Sequence, residues 1–180
     1  MSIAEWEEKA YSYIMIRPAG PSDSAAICGI YNHYVENTAF TFEEASVPPA
    51  EMEERIRRIS AKYPYLVLED DGSGEVNGYA YANTWRERSA YRFAAEISIY
   101  VRDDFRGKGM GRRLMERLLE EIRKRDIHSL VAGIALPNER SVALHEKFGF
   151  RKVAHFEEIG FKFGKWLDVG YWELILKQRP

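Results

Sequence analysis

The stretch Val101-Arg102-Asp103-Asp104-Phe105-Arg106-Gly107-Lys108-Gly109-Met110-Gly111-Arg112 decides the fold, because it joins a strand to the clearest helix of the chain. Three glycines at alternate positions remove side chains from the turn, so that backbone N–H groups can approach a ligand. The following helix adds its unpaired N-terminal N–H groups and the positive end of its dipole. Arg106, Lys108, Arg112 and Arg113 add positive charge. These features predict a pyrophosphate-binding turn; a glycine-rich turn that only caps a helix is the alternative.

The order of residues excludes two other phosphate-binding turns. A P-loop needs Ser or Thr directly after its Gly-Lys pair, whereas Gly109 follows Lys108. A dinucleotide-binding turn belongs to an early parallel βαβ unit with an acidic residue about 20 positions later. Here the turn follows a predicted hairpin and lies past the middle of the chain.

Apolar periodicity outward from that turn predicts the element order β-α-α-β-β-β-α-β-α-β-β. The helix after the turn carries apolar residues at i+4 spacing: Met110, Leu114, Leu118 and Ile122. The other predicted elements are a strand at 14–17, a helix capped by Ser22 or Asp23, a helix from Pro48-Pro49, a hairpin of Tyr65–Leu68 with Val76–Ala82, strands at about Arg92–Val101 and Leu130–Ala135, a short helix from Asn138, and strands at Phe150–Glu158 and Tyr171–Leu176. The pattern indicates an α/β fold, a mixed sheet flanked by helices.

Length and composition exclude several classes of protein. The 180 residues suit one domain, which we place at 14–180 behind an N-terminal extension at 1–13. Twenty-six basic and 28 acidic residues give a net charge of −2, too little positive charge for a protein held to nucleic acid by counterion release. One cysteine, scattered histidines and no apolar run of about 18 residues argue against a disulfide, a metal site and a membrane span. We expect a cytoplasmic protein without nucleic-acid, membrane or metal partners.

Two separated motifs resemble the GNAT superfamily of N-acetyltransferases. Its pyrophosphate signature, Arg/Gln-x-x-Gly-x-Gly/Ala, is matched by Arg106, Gly109 and Gly111, and the preceding strand ends in Ile-Tyr-Val. The segment Asn138-Glu139-Arg140-Ser141-Val142-Ala143-Leu144-His145-Glu146-Lys147-Phe148-Gly149-Phe150 matches as well. The resemblance covers roughly residues 14–176 and implies the GNAT fold, with a mixed, mainly antiparallel central sheet flanked by helices.

Within this superfamily, the phosphinothricin and methionine sulfoximine/sulfone acetyltransferase-like family is the closer match. The segments that carry this likeness are Ile30-Tyr31-Asn32-His33-Tyr34, Tyr63-Pro64, Gly78-Tyr79-Ala80, Ala95-Glu96-Ile97-Ser98-Ile99-Tyr100-Val101, Leu144-His145-Glu146 and Gly160-Phe161-Lys162-Phe163-Gly164-Lys165-Trp166-Leu167-Asp168-Val169. The resemblance implies an acyltransferase that moves the acetyl group of acetyl-CoA to the primary amine of a small amino-acid-like acceptor. It also implies a homodimer, for which the aromatic-rich segment 161–166 is the candidate interface.

The resemblance assigns the cofactor to three segments. The backbone of Ile99, Tyr100 and Val101 would pair with the pantetheine arm as with an added strand. The pyrophosphate would lie on Arg106, Gly107, Lys108, Gly109, Met110, Gly111 and Arg112. Asn138 would hydrogen-bond the cofactor near its reactive end, and Lys147 completes the set. Since Asn138 opens a helix, it is equally well interpreted as an N-cap, and the two roles can coexist.

Glu96 and His145 are the predicted catalytic residues. Glu96 interrupts a strand rich in apolar residues, and partial burial there would raise the pKa of its carboxyl group and suit it as a base; an outward-facing strand glutamate is the alternative. His145 shares a helix face with Ser141. Much of the superfamily has a tyrosine there as the proposed general acid, so His145 stays open between acid, base and packed side chain. A backbone N–H of the Ile97–Ile99 stretch is the expected donor to the thioester oxyanion.

Arginines before the same strand indicate an anionic acceptor, because arginine binds carboxylate or phosphinate in a bidentate way. Arg86, beside Trp85, is the strongest candidate. The resemblance places six residues in the acceptor site: Arg86, Glu87, Arg88, Glu96, Ile97 and Ser98. A surface charge cluster explains Glu87 and Arg88 equally well.

Two other functions stay open at this point. A protein or peptide N-terminal acetyltransferase of the same fold would need an open groove without an anion clamp. A non-catalytic acyl-CoA-binding module would keep Arg106–Gly111 but would not need Glu96 together with His145. Phe40 and Phe42 are candidates for a pocket wall, although ordinary packing explains them as well.

Overall fold

The computed structural model describes residues 14–176, so the predicted extension at 1–13 lies outside the described residues. Within 14–176, one seven-stranded sheet has the strand order β1-β2-β3-β4-β5-β7-β6. The strands are β1 (Ile14–Pro18), β2 (Tyr65–Asp70), β3 (Val76–Thr84), β4 (Ala94–Val101), β5 (Ser129–Leu136), β6 (Arg151–Lys162) and β7 (Lys165–Ile175). The α-helices are α1 (Ser24–Asn37), α2 (Pro49–Ser60), α3 (Met110–Arg123) and α4 (Glu139–Lys147). The predicted element order and fold class are confirmed.

The sheet divides where β4 meets β5. Every other neighbouring pair is antiparallel, whereas β4 and β5 are parallel and pair only from Ala94–Glu96 to Ser129–Val131. Beyond these pairs, β4 stays with β3 up to Val101, and β5 stays with β7 up to Leu136. The two strands therefore separate toward their C-terminal ends and leave a gap in the sheet.

The helix α3 covers one face of the sheet beside this gap. Its apolar stripe, Met110, Leu114, Leu118 and Ile122, is buried as the i+4 spacing predicts. Burial of such side chains contributes about 1.5–3 kcal/mol each to stability. The helix packs on β2, β3 and β4, and so its N-terminus is held beside the end of β4.

The alternation along β4 places its side chains on two different faces. Tyr100, on the same side as Glu96 and Ser98, packs edge-on against Tyr31 and Tyr34 of α1, at 5.3 and 5.2 Å between ring centroids. Ile97 and Val101 are buried on the other side. Glu96 thus belongs to the face that α1 covers further along the strand.

Two predicted details are wrong. Asp23 stands at the N-terminus of α1 without capping it, because its carboxylate accepts hydrogen bonds from Arg17 at 2.8 and 2.9 Å and from the Gly20 amide at 2.7 Å. The last two strands are much longer than predicted and form one hairpin through Phe163 and Gly164, whose φ angles are 51° and 71°. Such a two-residue turn usually carries Asn-Gly, and a phenylalanine there gives no turn signal.

No helix among residues 14–176 has both the length and the apolar character that crossing a membrane requires.

Candidate active site

The gap between β4 and β5 opens into a cleft of about 1150 Å³. Its walls are the separated ends of β4 and β5, the glycine turn, the first residues of α3, and α4. A volume above the usual 300–1000 Å³ of a small-molecule pocket suits a large ligand. Of the predicted cofactor residues, those that line the cleft are Ile99, Tyr100, Val101, Arg106, Gly107, Gly109, Met110, Gly111, Arg112, Asn138 and Lys147. Lys108 does not line it, and its ammonium lies over the Phe105 ring, 4.9 Å from the centroid.

The glycine turn has a backbone conformation that favours glycine at two positions. Gly107 and Gly109 have φ angles of 80° and 78°, a region that other L-residues rarely adopt, and Gly109 is the N-cap of α3. A Cβ atom added at Gly111 would lie 3.4 Å from Leu144 Cδ2, so the glycine lets α3 approach α4 closely. The first amides of α3 have no partner within the helix, and the residues from Gly109 to Arg113 line the cleft, an arrangement that suits an anion site.

Arginines of the turn pair with carboxylates. Arg106 forms an ion pair with Asp103, and its guanidinium carbon lies 5.7 Å from the centre of the Tyr34 ring. Arg112 pairs with Glu116 at 2.8 Å. These side chains are partly exposed, so the pairs are weak and can be exchanged for a stronger anion. The positive character of the site therefore depends on the helix N-terminus as well as on the arginines.

The edge of β4 that faces the gap carries unpaired backbone groups. From Ile97 to Val101, β4 pairs with β3 alone, and these residues also line the cleft. Unpaired N–H and C=O groups along a strand are the standard partners of an extended polar chain. The geometry can bind an extended ligand that ends in a doubly charged anion at the N-terminus of α3.

Glu96 lies at the margin of the cleft and does not line it. It is half-buried, and this burial raises the pKa of its carboxyl group, while the nearby Arg86 guanidinium opposes the shift. A carboxylate with a raised pKa can accept a proton near neutral pH. Ile97 and Ser98, the next two residues of the strand, line the cleft.

The arginine run after β3 is brought to Glu96 through Arg86. Arg86 is exposed, and its guanidinium carbon lies 4.9 Å from the centre of the Trp85 ring. Glu87 and Arg88 are exposed in the loop after β3. The surface interpretation of these two residues therefore stays as strong as the acceptor-site interpretation.

His145 is buried on α4 and lines the cleft. Its Nδ1 atom lies 2.8 Å from the Ser141 carbonyl oxygen, which can only accept a hydrogen bond, so Nδ1 carries the proton of the neutral ring. Burial lowers the pKa of the imidazole, against the effect of the bond to Ser141. The buried Nε2 atom has no partner among the described residues. Neutral His145 therefore offers a lone pair at Nε2.

Asn138 is an N-cap. Its Oδ1 atom accepts a hydrogen bond from the Ser141 amide at 3.3 Å, and α4 begins at the next residue. Since Asn138 also lines the cleft, the capping role leaves a second role possible through the rest of the amide.

Residues 14–176 contain no group of three or more His, Cys, Asp and Glu side chains arranged to hold a metal ion.

Comparisons with known proteins identify the family. The model of the acetyltransferase (GNAT) domain matches residues 16–170. The chain belongs to the GNAT acetyltransferases. The predicted resemblance, the acyltransferase class and the use of acetyl-CoA are thereby confirmed.

Three relatives show the range of GNAT proteins that this chain resembles. An L-methionine sulfoximine/L-methionine sulfone acetyltransferase of Salmonella typhimurium is 39% identical over 91% of this chain and 95% of its own length. A phosphinothricin acetyltransferase of Sinorhizobium meliloti, solved in complex with acetyl-CoA, has a TM-score of 0.87 and 37% identity over 91% of this chain and 89% of its own. A ribosomal-protein-alanine N-acetyltransferase of Brucella melitensis has a TM-score of 0.86 and 37% identity over 90% and 99%.

The sequence interpretation missed aromatic residues around the GNAT site. Tyr34 lines the cleft without having been proposed as a wall; of the two phenylalanines that were, Phe40 lines the cleft, whereas Phe42 packs on the backbone of Gly160. Trp85 and Tyr171 meet near Glu96 although they are far apart in the chain. Gly133 was the one available signal, since a glycine inside a strand often marks the close approach of another group.

Proposed function

We propose that this chain transfers the acetyl group of acetyl-CoA to the primary amine of a small amino-acid-like acceptor, of the phosphinothricin or methionine sulfoximine/sulfone type. The observation that carries the acceptor class is a half-buried carboxylate, Glu96, with an exposed guanidinium, Arg86, near enough to lower its pKa, at the edge of the cleft. An amino acid presents the matching groups, a basic amine and an anionic carboxylate. The names of two relatives point to the same acceptors.

Acetyl-CoA fits the described cleft. From Ile99 to Val101 the strand β4 has no partner strand on the side of the gap, where the Val101 carbonyl oxygen accepts from the Tyr34 hydroxyl, and the other end of the cleft has left-handed glycines at a helix N-terminus. The strand edge would hold the pantetheine amides, and the turn from Arg106 to Arg112 would hold the pyrophosphate. Asn138 and Lys147, on the α4 side, would complete the contacts. When bound, the cofactor supplies an acetyl group activated as a thioester.

Glu96 would take a proton from the acceptor amine, directly or through one water molecule, as the amine nitrogen bonds to the acetyl carbon. The carbon–sulfur bond would break in exchange, and the thiolate would leave and take a proton from solvent. A raised pKa of its carboxyl group brings the proton affinity of the base closer to that of the amine and so lowers the barrier to transfer. Backbone N–H groups of the Ile97–Ile99 stretch would donate to the acetyl carbonyl oxygen. His145, with its lone pair at Nε2, would act as a hydrogen-bond acceptor and not as a ready proton donor.

The proposal also includes a homodimer and a location in the cytoplasm. The hairpin β6–β7 supports the dimer, since several large apolar side chains on it are exposed: Val153, Phe156, Ile159, Phe161, Phe163, Trp166 and Ile175. A group of exposed large apolar side chains like this one is typical of a protein–protein interface. Nucleic acid and membranes are not partners in this proposal.

A protein or peptide N-terminal acetyltransferase is the second candidate function. The likeness to the ribosomal-protein-alanine N-acetyltransferase favours it. Arg86 argues against it, because the residue that carries a peptide's free amine has no free carboxylate for a guanidinium to bind.

A thiol-release assay with acetyl-CoA tests the two functions directly. Single amino acids, phosphinothricin, methionine sulfone and short peptides with free N-termini serve as acceptors. We expect release with amino-acid acceptors and little with peptides; the reverse preference would select the second function. Acetyl-CoA should also raise the melting temperature of the protein, by mass action on the folded state. No shift at saturating acetyl-CoA would contradict the cofactor site.

A further inference from the structure

Three aromatic rings from separate parts of the chain meet beside Glu96. Trp85 follows β3, Phe156 lies on β6 and Tyr171 lies on β7. Tyr171 is in the middle: its ring centroid is 5.4 Å from that of Trp85 and 5.6 Å from that of Phe156, both in edge-to-face geometry. Edge-to-face packing holds the Tyr171 ring in one orientation.

The Tyr171 ring also lies over a glycine of the cleft wall. Tyr171 pairs directly with Gly133 in the register of β5 and β7, and Gly133 lines the cleft. A Cβ atom added at Gly133 would lie 3.2 Å from Tyr171 Cε1 and 3.4 Å from Glu96 Oε1. The phenol ring and the carboxylate therefore approach the same point, above a residue without a side chain.

Arg86 joins the same group of side chains. Its guanidinium lowers the pKa of Glu96, against the effect of burial. It also lowers the pKa of the Tyr171 phenol, which burial and the charge of Glu96 raise. The Arg86 guanidinium lies over the face of the Trp85 indole, and the same indole packs edge-to-face with the Tyr171 ring. The surface that runs from Arg86 to Glu96 is thus made of the Trp85 and Tyr171 rings.

We infer that Trp85, Tyr171 and Phe156 form the subsite for the acceptor's side chain, with the Tyr171 ring as its specificity-determining wall. This inference rests on the proposed function. An amino acid whose carboxylate is at Arg86 and whose amine is at Glu96 has its side chain against the rings between them. Aromatic rings favour contact with an apolar or polarisable chain, and a wall over Gly133 favours a slender one. The subsite takes unbranched side chains, such as those of methionine derivatives, and rejects branched and bulky ones.

The test compares acceptor rankings of the full-length protein and its variants, by kcat/KM in the thiol-release assay. Tyr171→Ala should raise kcat/KM of branched and aromatic amino acids, relative to methionine sulfone, by about tenfold, a usual value for a change in pocket shape. This rise in kcat/KM should come from a lower KM for those acceptors, and KM for acetyl-CoA should not change. Tyr171→Phe keeps the ring and should keep the ranking. Met15→Ala, an exposed change on the opposite edge strand of the sheet, is the control.

Phe156→Ala provides a second variant if Tyr171→Ala does not fold, because Phe156 is 45% exposed and supports Tyr171 from outside. It should shift the ranking in the same direction by about threefold, within the range of one lost apolar contact. If a folded variant loses kcat/KM equally for all acceptors, or keeps the wild-type ranking of acceptors, the subsite is overturned while the proposed function stands. A wild-type protein that is inactive with every amino acid would overturn the proposed function and the subsite with it.

Discussion

The gap between β4 and β5 and the hairpin β6–β7 differ in the chemical groups that they expose. The gap presents backbone: strand amides from Ile97 to Val101, left-handed glycines and a helix N-terminus, beside buried apolar residues. The hairpin presents side chains, and Phe161 and Trp166 are more than half exposed. Backbone can bind any chain of amides and phosphates, whereas side chains select by shape and charge. In our proposal, the gap binds the common cofactor, and the hairpin's side of the molecule selects the acceptor and the partner.

Glu96→Gln should have the largest effect, since it removes the proposed base at the edge of the gap and keeps the size of the side chain. We expect kcat to fall by about 10²–10⁴-fold. The acetyl-CoA-induced rise in melting temperature should persist, because Glu96 does not line the cofactor cleft. Undiminished kcat would remove Glu96 from the mechanism.

The same residue should set the acidic limb of the pH profile. Only the ionised carboxylate accepts a proton, and burial places the pKa of Glu96 above its ordinary value. Activity should therefore decline as pH falls through this raised pKa, earlier than for an exposed glutamate. The profile of kcat/KM in the wild type measures the limb, and Glu96→Gln should lack it.

Trp166→Ala tests the hairpin as an interface. Trp166 is 62% exposed and its ring packs on Phe161 at 5.0 Å between centroids. If it is a central contact of the dimer, its loss should weaken association by about 2 kcal/mol or more. Sedimentation velocity over a dilution series measures this. Met15→Ala, exposed on the opposite edge strand, is the matched control and should leave the dimer intact.

Arg86→Lys tests whether acceptor binding needs the guanidinium of Arg86 or only its positive charge. Lysine cannot form two parallel hydrogen bonds to a carboxylate, so KM for amino-acid acceptors should rise by about tenfold, while KM for acetyl-CoA should not change. Arg58→Lys, at an exposed position of α2, controls for the substitution itself. If amines without a carboxylate lose as much as amino acids, Arg86 is not an anion clamp.

Tyr34→Phe should have the smallest effect, on stability at the rim of the gap. The Tyr34 hydroxyl donates to the Val101 carbonyl oxygen at 2.6 Å in a buried position. Its removal leaves that carbonyl unsatisfied, which costs about 1 kcal/mol, or roughly 2–4 °C in melting temperature for a domain of this size. Tyr63→Phe removes a hydroxyl that is 3.4 Å from Thr84 Oγ1 and should cost less.

The sequence predicted the cofactor half of the molecule well. Apolar spacing placed α3, and the alternate glycines predicted a turn without side chains at its N-terminus. It also predicted that burial would raise the pKa of the Glu96 carboxyl group. It predicted the β6–β7 hairpin poorly, because Phe163 gives no turn signal and the exposed aromatic residues along both strands break the expected alternation of polar and apolar residues. The capping role of Asp23 failed for a similar reason: a distant arginine, Arg17, was the stronger partner.

The sequence by itself determined the elements, their order and the glycine-rich turn before α3, because these depend on neighbours within a few positions: apolar periodicity, glycines and a helix terminus. Only the tertiary structure decided three other features. It separated β4 from β5 after three residue pairs, left Nε2 of His145 as a buried acceptor, and brought Trp85 and Tyr171 together beside Glu96. These depend on strand register and on contacts between residues up to 86 positions apart, Trp85 and Tyr171, which no local pattern encodes.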